Sequence, residues 1–468
     1  MKQDSSITMK YMIVPILLIA LNLNAAVFLS ADGRGQAISV PFYSVANNLN
    51  AILTLENTTD QHKIIKLHLK SSSDLSTLGS ENLVLKPRQT LHMFLQDEVG
   101  YWLRRDIDYD PYCNAYPTSK GYINTIGLEP EYWQTGTIEV IEMAEFVQDD
   151  SFACETLLGA IEDNQAWTSD NDYNLSHPTG GIRAIMYFIN VANGVMSQIP
   201  TYGFQGFFAD QEIHLSPSNA NTPNLSSGTN ESLLIEKNGQ PLVTRWSSGH
   251  EAISSLLMKS GIANRYEIWD AIGGQTEWVF SIPTLGYHVD GAQTQTPSEV
   301  TRPFRFWSNM FIFPRGFDHY YEYGGQLLGR AENCSINSPL CRHTMNAGVN
   351  IAVVANEQDT VTDAFLAGSV ESAGVVRSNH MTLLLVDNIP EDGFSVQEIT
   401  TGTIVYYLAS SGHMMGQDVS TGETITLLGL PVTGFTFTVL FNANAQPGVL
   451  ASYDITQEFT SHLTIIRE

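Results

Sequence analysis

Four short stretches hold side chains whose types and spacing could do chemistry. Asp106, Asp108 and Asp110 form D-x-D-x-D, the opening of a calcium loop, but Pro111 and Pro117 stand where an EF-hand requires Gly and Glu. An EF-hand is excluded, and an irregular calcium site on these three carboxylates is set against a plain solvated acidic turn. His250-Glu251-Ala252-Ile253-Ser254 departs from the HExxH zinc-protease pattern, because Ser254 occupies the place of the second histidine. Ser248 and Glu251 instead have capping-box spacing. Glu139 and Glu142 could be paired catalytic carboxylates, yet the flanking pattern favours two solvated glutamates on either side of a β-bulge. Finally, Phe304 to Gly325 is the densest aromatic stretch, and its Tyr320, Tyr321 and Tyr323 are candidates for a binding surface on sugars or a partner.

The compartment narrows what this chemistry can be. Met1 to Ala26 carries Lys2 and Lys10, an uncharged run from Tyr11 to Leu23 containing Pro15, and small residues at Ala25 and Ala26. That reads as a secretory signal peptide over 1–26, since a spanning helix needs ~20 apolar residues. The mature start is expected within 26 to 32, and no transmembrane segment is expected after cleavage. Acidic residues number 49 against 23 basic, for a net charge of −26. Such a surface repels phosphate backbones and anionic lipid, so nucleic acid is not an expected partner. No cofactor is required by any motif, and calcium is the one cation the pattern admits. The cysteines, Cys113, Cys154, Cys334 and Cys341, form an even set in an exported chain, so disulfides are the default. Cys334 and Cys341 bracket a short polar loop, which favours their pairing and leaves Cys113 with Cys154. Zinc on Cys334, Cys341 and His343 lacks an evident fourth ligand.

Strand signals dominate the elements that would position these groups. Ile65, Leu67 and Leu69 alternate with Lys66, His68 and Lys70, the pattern of a half-buried strand. Leu53 and Leu55 precede it, Leu83 and Leu85 follow, and Leu91, Met93 and Leu95 resume the alternation. Ile138 and Val140 change parity to Ile141 and Met143, as a bulge requires. The expected fold is mainly β, in antiparallel, immunoglobulin-like β-sandwich domains with one or a few short helices. A first domain spans 27–214 with a disulfide-tethered insertion at about 97–135. Residues 215–232 form a Ser/Asn/Pro/Thr-rich linker or long loop with almost nothing to bury, and 233–468 is a second β-rich region. Within it a helix is expected over 248–260, closed by Gly261, then a hairpin from Tyr266 to Pro283 turning at Gly273-Gly274.

The segments GQAISVPFYS (35–44), GTIEVIEM (136–143), TEWVFSIPT (276–284) and GLPVTGF (429–435) resemble pieces of a family of exported, uncharacterised β-rich proteins of Gram-negative bacteria. The resemblance implies export and a β-rich fold, and it brings no catalytic residues. No G-x-S-x-G elbow, Walker loop or dinucleotide-binding glycine pattern is present. The expectation is a secreted or cell-surface, non-catalytic protein with a structural, assembly or adhesive role, acting by self-assembly or on an envelope polysaccharide. The alternative is a secreted carbohydrate-binding or carbohydrate-cleaving protein, since a glycosidase needs only two carboxylates placed by the fold.

Overall fold

The computed structural model describes residues 26–73, 75–96, 102–105, 133–146, 175–267, 274–288, 321–323, 326–328, 348–355, 365–366, 372–377, 401–409, 412–446 and 449–468. The chain opens with β1 (Phe28–Leu29), β2 (Arg34–Gly35), β3 (Ala37–Ser44), β4 (Asn50–Asn57), β5 (His62–Ser71), β6 (Thr77–Leu85), β7 (Thr90–Gln96) and β8 (Trp102–Arg105). Then come β9 (Thr135–Phe146), β10 (Leu175–Ser176), β11 (Ile182–Asn190), β12 (Val195–Ile199) and β13 (Tyr202–Gln205). They build two sheets, ordered β1-β13-β3-β9-β5-β6 with β10 on β9, and β12-β11-β4-β7-β8 with β2 on β11. Val40, Leu67, Leu69 and Val140 of the first sheet share one core with Leu53, Leu91, Met93 and Phe188 of the second. This is a sandwich, because each sheet buries one face of alternating apolar residues against the other.

The polar turns after Asn57 and Leu85 therefore do not close hairpins. β4 pairs with β7 and β5 pairs with β6, so both turns carry the chain from one sheet to the other.

The later elements are β14 (Glu231–Ile235), β15 (Pro241–Arg245), α1 (Gly249–Leu257), β16 (Met258–Lys259), β17 (Gly261–Glu267), β18 (Gln275–Ser281) and α2 (Leu285–His288). Next are β19 (Tyr321–Tyr323), β20 (Gln326–Leu328), β21 (Val349–Ala355), β22 (Ser372–Arg377), β23 (Thr401–Tyr407), β24 (His413–Asp418), β25 (Thr424–Leu428) and β26 (Leu430–Pro431). The chain ends with β27 (Thr433–Gln446), β28 (Val449–Glu458), β29 (Thr460–His462) and β30 (Thr464–Arg467). Their larger sheets are β14-β15-β24-β25-β30 and β22-β21-β18-β27-β28. Among the described strand ladders all are antiparallel except β21 with β22.

Two expectations about this half are corrected. β17 and β18 do not form a hairpin: β17 lies between β23 and β29, while β18 lies between β21 and β27. Both edges of β18 are taken by strands far along the chain, a competition that local turn chemistry cannot reveal. Gly261 does not cap α1, which ends at Met258 in extended conformation. Gly261 opens β17 instead, where a Cβ would stand 2.3 Å from the His462 ring.

The four segments behind the family resemblance lie together in the fold. Residues 35–44 contain β3 and 136–143 lie in β9, which pair with each other. Residues 276–284 contain most of β18, which pairs with the start of β27 that 429–435 reaches. The two pairs meet where Phe42 packs edge-on against Phe435, with ring centroids 6.0 Å apart. One continuous core thus joins the first sandwich to the second half.

Candidate functional site

The site begins with the polar face of β5. Lys66, His68 and Lys70 were expected to face water, but β5 is buried along its whole length. Glu139 and Glu142 are likewise buried rather than solvated, at 3% and 0% exposure. A bulge is present, but beyond the parity change and not between the two glutamates: Leu67 pairs with Val140 and Lys66 with Ile141 without a break, whereas Ile64 pairs with Ala144 and Ile65 with Glu142, leaving Met143 as the extra residue. What covers this face comes from more than a hundred residues away.

Part of the cover is the stretch 215–232. Its carbonyls accept from the sheet: Lys66 Nζ donates to Pro217 O at 2.6 Å, His68 Nε2 lies 2.7 Å from Pro223 O, and Asn82 Nδ2 donates to Ser216 O at 2.8 Å. The stretch has almost nothing to bury, as expected, but Leu225 is fully enclosed and joins the core of the second half. Its amide donates to Glu139 Oε2 at 3.3 Å.

Tyr287, on α2, closes the other side. Its hydroxyl lies 2.9 Å from both Glu139 oxygens and accepts from Lys70 Nζ at 3.3 Å, while Lys70 sits 3.7 Å from Glu139. Burial, and then the Glu139 charge, push the Tyr287 phenol well above its ordinary range, so it remains a donor. Burial pulls Lys66 down to about 8 and His68 down to about 4. His68 is therefore a neutral imidazole at pH 7, with Nδ1 2.7 Å from Ser80 Oγ and Nε2 directed at Pro223 O.

Helix α1 continues the network. Its start is capped as expected, with Ser248 Oγ accepting from Glu251 N, although the Glu251 carboxylate takes Ser247 N at 2.8 Å rather than the cap's own amide. Ser254 points inward, 2.8 Å from His250 O, 2.7 Å from Thr284 Oγ1 and 2.9 Å from His288 Nε2. His250 stacks near Tyr287 and meets His288 edge-on at 4.8 Å. Burial, and then His250, hold His288 well below its usual pKa. A serine beside a neutral histidine is the start of a nucleophilic dyad. Here, however, Ser254, Thr284 and His288 are enclosed at 0%, 0% and 5% exposure. The Ser254 proton has a carbonyl to serve in the preceding turn, a common helix back-bond.

Several expected site residues lie elsewhere. Cys113, Cys154, Cys334, Cys341, Asp106, Asp108, Asp110 and Tyr320 lie outside the described residues, as do the residues before Ala26 that carry the signal-peptide expectation. Tyr321 and Tyr323 sit on β19, which pairs with β20. Among the described residues no cluster of three His, Cys, Asp or Glu side chains is placed to hold a metal ion, and no helix is long and apolar enough to cross a membrane.

No protein-family model, curated protein or solved structure matches this chain. Its functional reading therefore rests on its own residues.

Proposed function

We propose that this chain is an exported, non-catalytic structural component of the cell envelope or exterior that works by assembling with further copies of itself. The observation that carries the reading is the polar seam. The side chains best suited to chemistry are committed to one another and to backbone carbonyls: Lys66, His68, Lys70 and Glu139 reach across to the 215–232 stretch and to Tyr287, while Ser254 and His288 pair within the second half. They hold the molecule in one arrangement. The outer face of the six-stranded sheet supports an assembling role, because Phe94, Ile52, Tyr187, Ile189 and Met196 follow one another across β7, β4, β11 and β12. Met196 is 54% exposed and Val191, in the adjoining turn, 78%. An apolar row of that kind is what a partner covers.

With a net charge of −26, copies repel one another at low salt, and screening or bound divalent cations relieve that repulsion. Sedimentation in calcium, in chelator and in monovalent salt of equal ionic strength tests the reading. Calcium should strengthen association most, Met196→Glu should weaken it, and the triple Asp→Asn variant at 106, 108 and 110 should lose the calcium increment. A chain that stays monomeric throughout and turns over a glycan in a glycosidase screen overturns the proposal in favour of a carbohydrate-active enzyme.

A further inference from the structure

A second buried cluster lies at the far end of the same strand pair, apart from the polar seam. Lys63 and Glu145 are direct cross-strand partners on β5 and β9, and the bulge at Met143 turns Glu142 toward them. Lys63 Nζ lies 2.7 Å from Glu142 Oε1, 2.5 Å from Glu145 Oε2 and 2.8 Å from Thr179 Oγ1. The side chains of Lys63 and Glu142 are wholly enclosed, while that of Glu145 keeps 13% exposure. The loop after β10 aims two amides at Glu142: Gly180 N donates to Oε2 at 2.6 Å and Thr179 N to Oε1 at 3.2 Å. Gly180 and Gly181 both have positive φ, at 86° and 84°, and that left-handed pair shapes the loop. Thr179 Oγ1 in turn donates to Glu145 Oε2 at 2.6 Å.

These are the parts of an acyl-transfer site without a substrate: an amine held against a carboxyl, a second carboxylate on the amine, and amides on the carboxyl oxygen. We propose that Lys63 and Glu142 condense into an intramolecular amide, with Glu145 as the proton carrier, so that β5 and β9 become covalently joined. Glu145 takes a proton from the Lys63 ammonium. The freed lone pair on Nζ attacks Cδ of Glu142, and the charge developing on Oε2 is met by the Gly180 amide. Of the three protons on Nζ, one stays on the amide nitrogen. The other two pass through Glu145 to Oε1, which leaves as water with the electron pair of its bond to Cδ. The net change is loss of one water with no oxidation or reduction, and Glu145 ends as it began.

Two features favour the forward direction. Burial pushes the Glu142 carboxyl up to about 7, which favours its taking the first of those two protons from Glu145 and standing as the acid when the amine attacks. Condensation also replaces two buried charges by a neutral amide, removing their desolvation penalty. Glu145, at the rim, offers a route by which the water can leave.

The test is the intact mass of the folded full chain after reduction of any disulfides, followed by fragmentation of its tryptic peptides. The expected result is a chain lighter by one water, no tryptic cleavage after Lys63, and a branched peptide joining Lys63 to Glu142. Glu145→Gln should fold and keep the full mass. Wild-type chain with the full mass and with Lys63 and Glu142 on separate linear peptides overturns the proposal, leaving a buried ion pair. A branch from Lys63 to Glu145 instead would overturn the assignment of roles. The mass does not depend on whether the chain assembles, so this result is independent of the proposed function.

Discussion

Protonating His68 should unfasten the polar seam, and the size of the effect follows from its surroundings. Its ring is buried between Ser80 and the Pro223 carbonyl. The charged groups facing it are Glu139, which favours the imidazolium, and Lys70 and Lys66, which oppose it, with burial outweighing all three. Burial thus takes the folded-state pKa from 6.5 down to about 4. Between those values the unfolded chain binds a proton that the folded chain refuses, so stability is intact above about pH 6.5 and falls as the pH is lowered toward 4. A shift of that size corresponds to about 3 kcal/mol across the window. Many carboxylates titrate in the same range, so the informative quantity is the difference between wild type and His68→Gln. Glutamine can offer an N–H to Pro223 and an oxygen to Ser80 without titrating. Urea unfolding followed by tryptophan fluorescence at intervals from pH 7 to pH 4 should show the wild-type advantage shrinking by about 3 kcal/mol. A difference that stays constant over the window would refute the burial argument for His68.

Two further substitutions probe the same network. Tyr287→Phe removes the hydroxyl that serves both Glu139 oxygens, leaving a buried charge under-satisfied, and should lower stability by roughly 1.5–3 kcal/mol in denaturant unfolding with an unchanged m-value. Glu251→Ala removes the acceptor of the Ser247 amide and should cost about 0.5–2 kcal/mol, read as a lower melting temperature with association preserved; an unchanged melting temperature with association lost would show that Glu251 is a functional residue rather than a cap.

Alternation was a good guide to which residues form strands and a poor guide to what those strands touch. The repeat from Lys63 to Lys70 places β5 correctly, and the mixed parity from Ile138 to Met143 places β9, although its bulge lies at Met143 rather than between Val140 and Ile141. Both follow from the two-residue period of a strand, a local property. Partner choice is not local. The glycine pair at 273 and 274 suggested a hairpin, yet β18 takes its neighbours from β21 and β27, and β17 from β23 and β29. The capped start of α1 was readable from Ser248 and Glu251, whereas its end was not, because β16 follows it directly and leaves no room for a glycine cap.

The site was missed for a related reason. A lysine, a histidine and another lysine on alternate positions are the usual mark of a strand face turned to water, and burying them unpaired would cost several kcal/mol each. What permits their burial is a stretch dismissed by composition. Residues 215–232 have few side chains to bury, but their main chain is rich in acceptors, and Ser216, Pro217 and Pro223 present carbonyls where Asn82, Lys66 and His68 need them. Proline suits that task because it offers an acceptor and no N–H to satisfy. One signal was nevertheless present in the chain. Lys63, Lys66 and Lys70 fall on one strand and Glu139, Glu142 and Glu145 on or just beyond another, the glutamates at steps of three and the lysines at steps of three and four. Opposite charges repeated on two strands favour their pairing directly side by side. Once β5 and β9 are neighbours, a cover that leaves few other groups unpaired can close over them, and the charges then select the register of the strands they join.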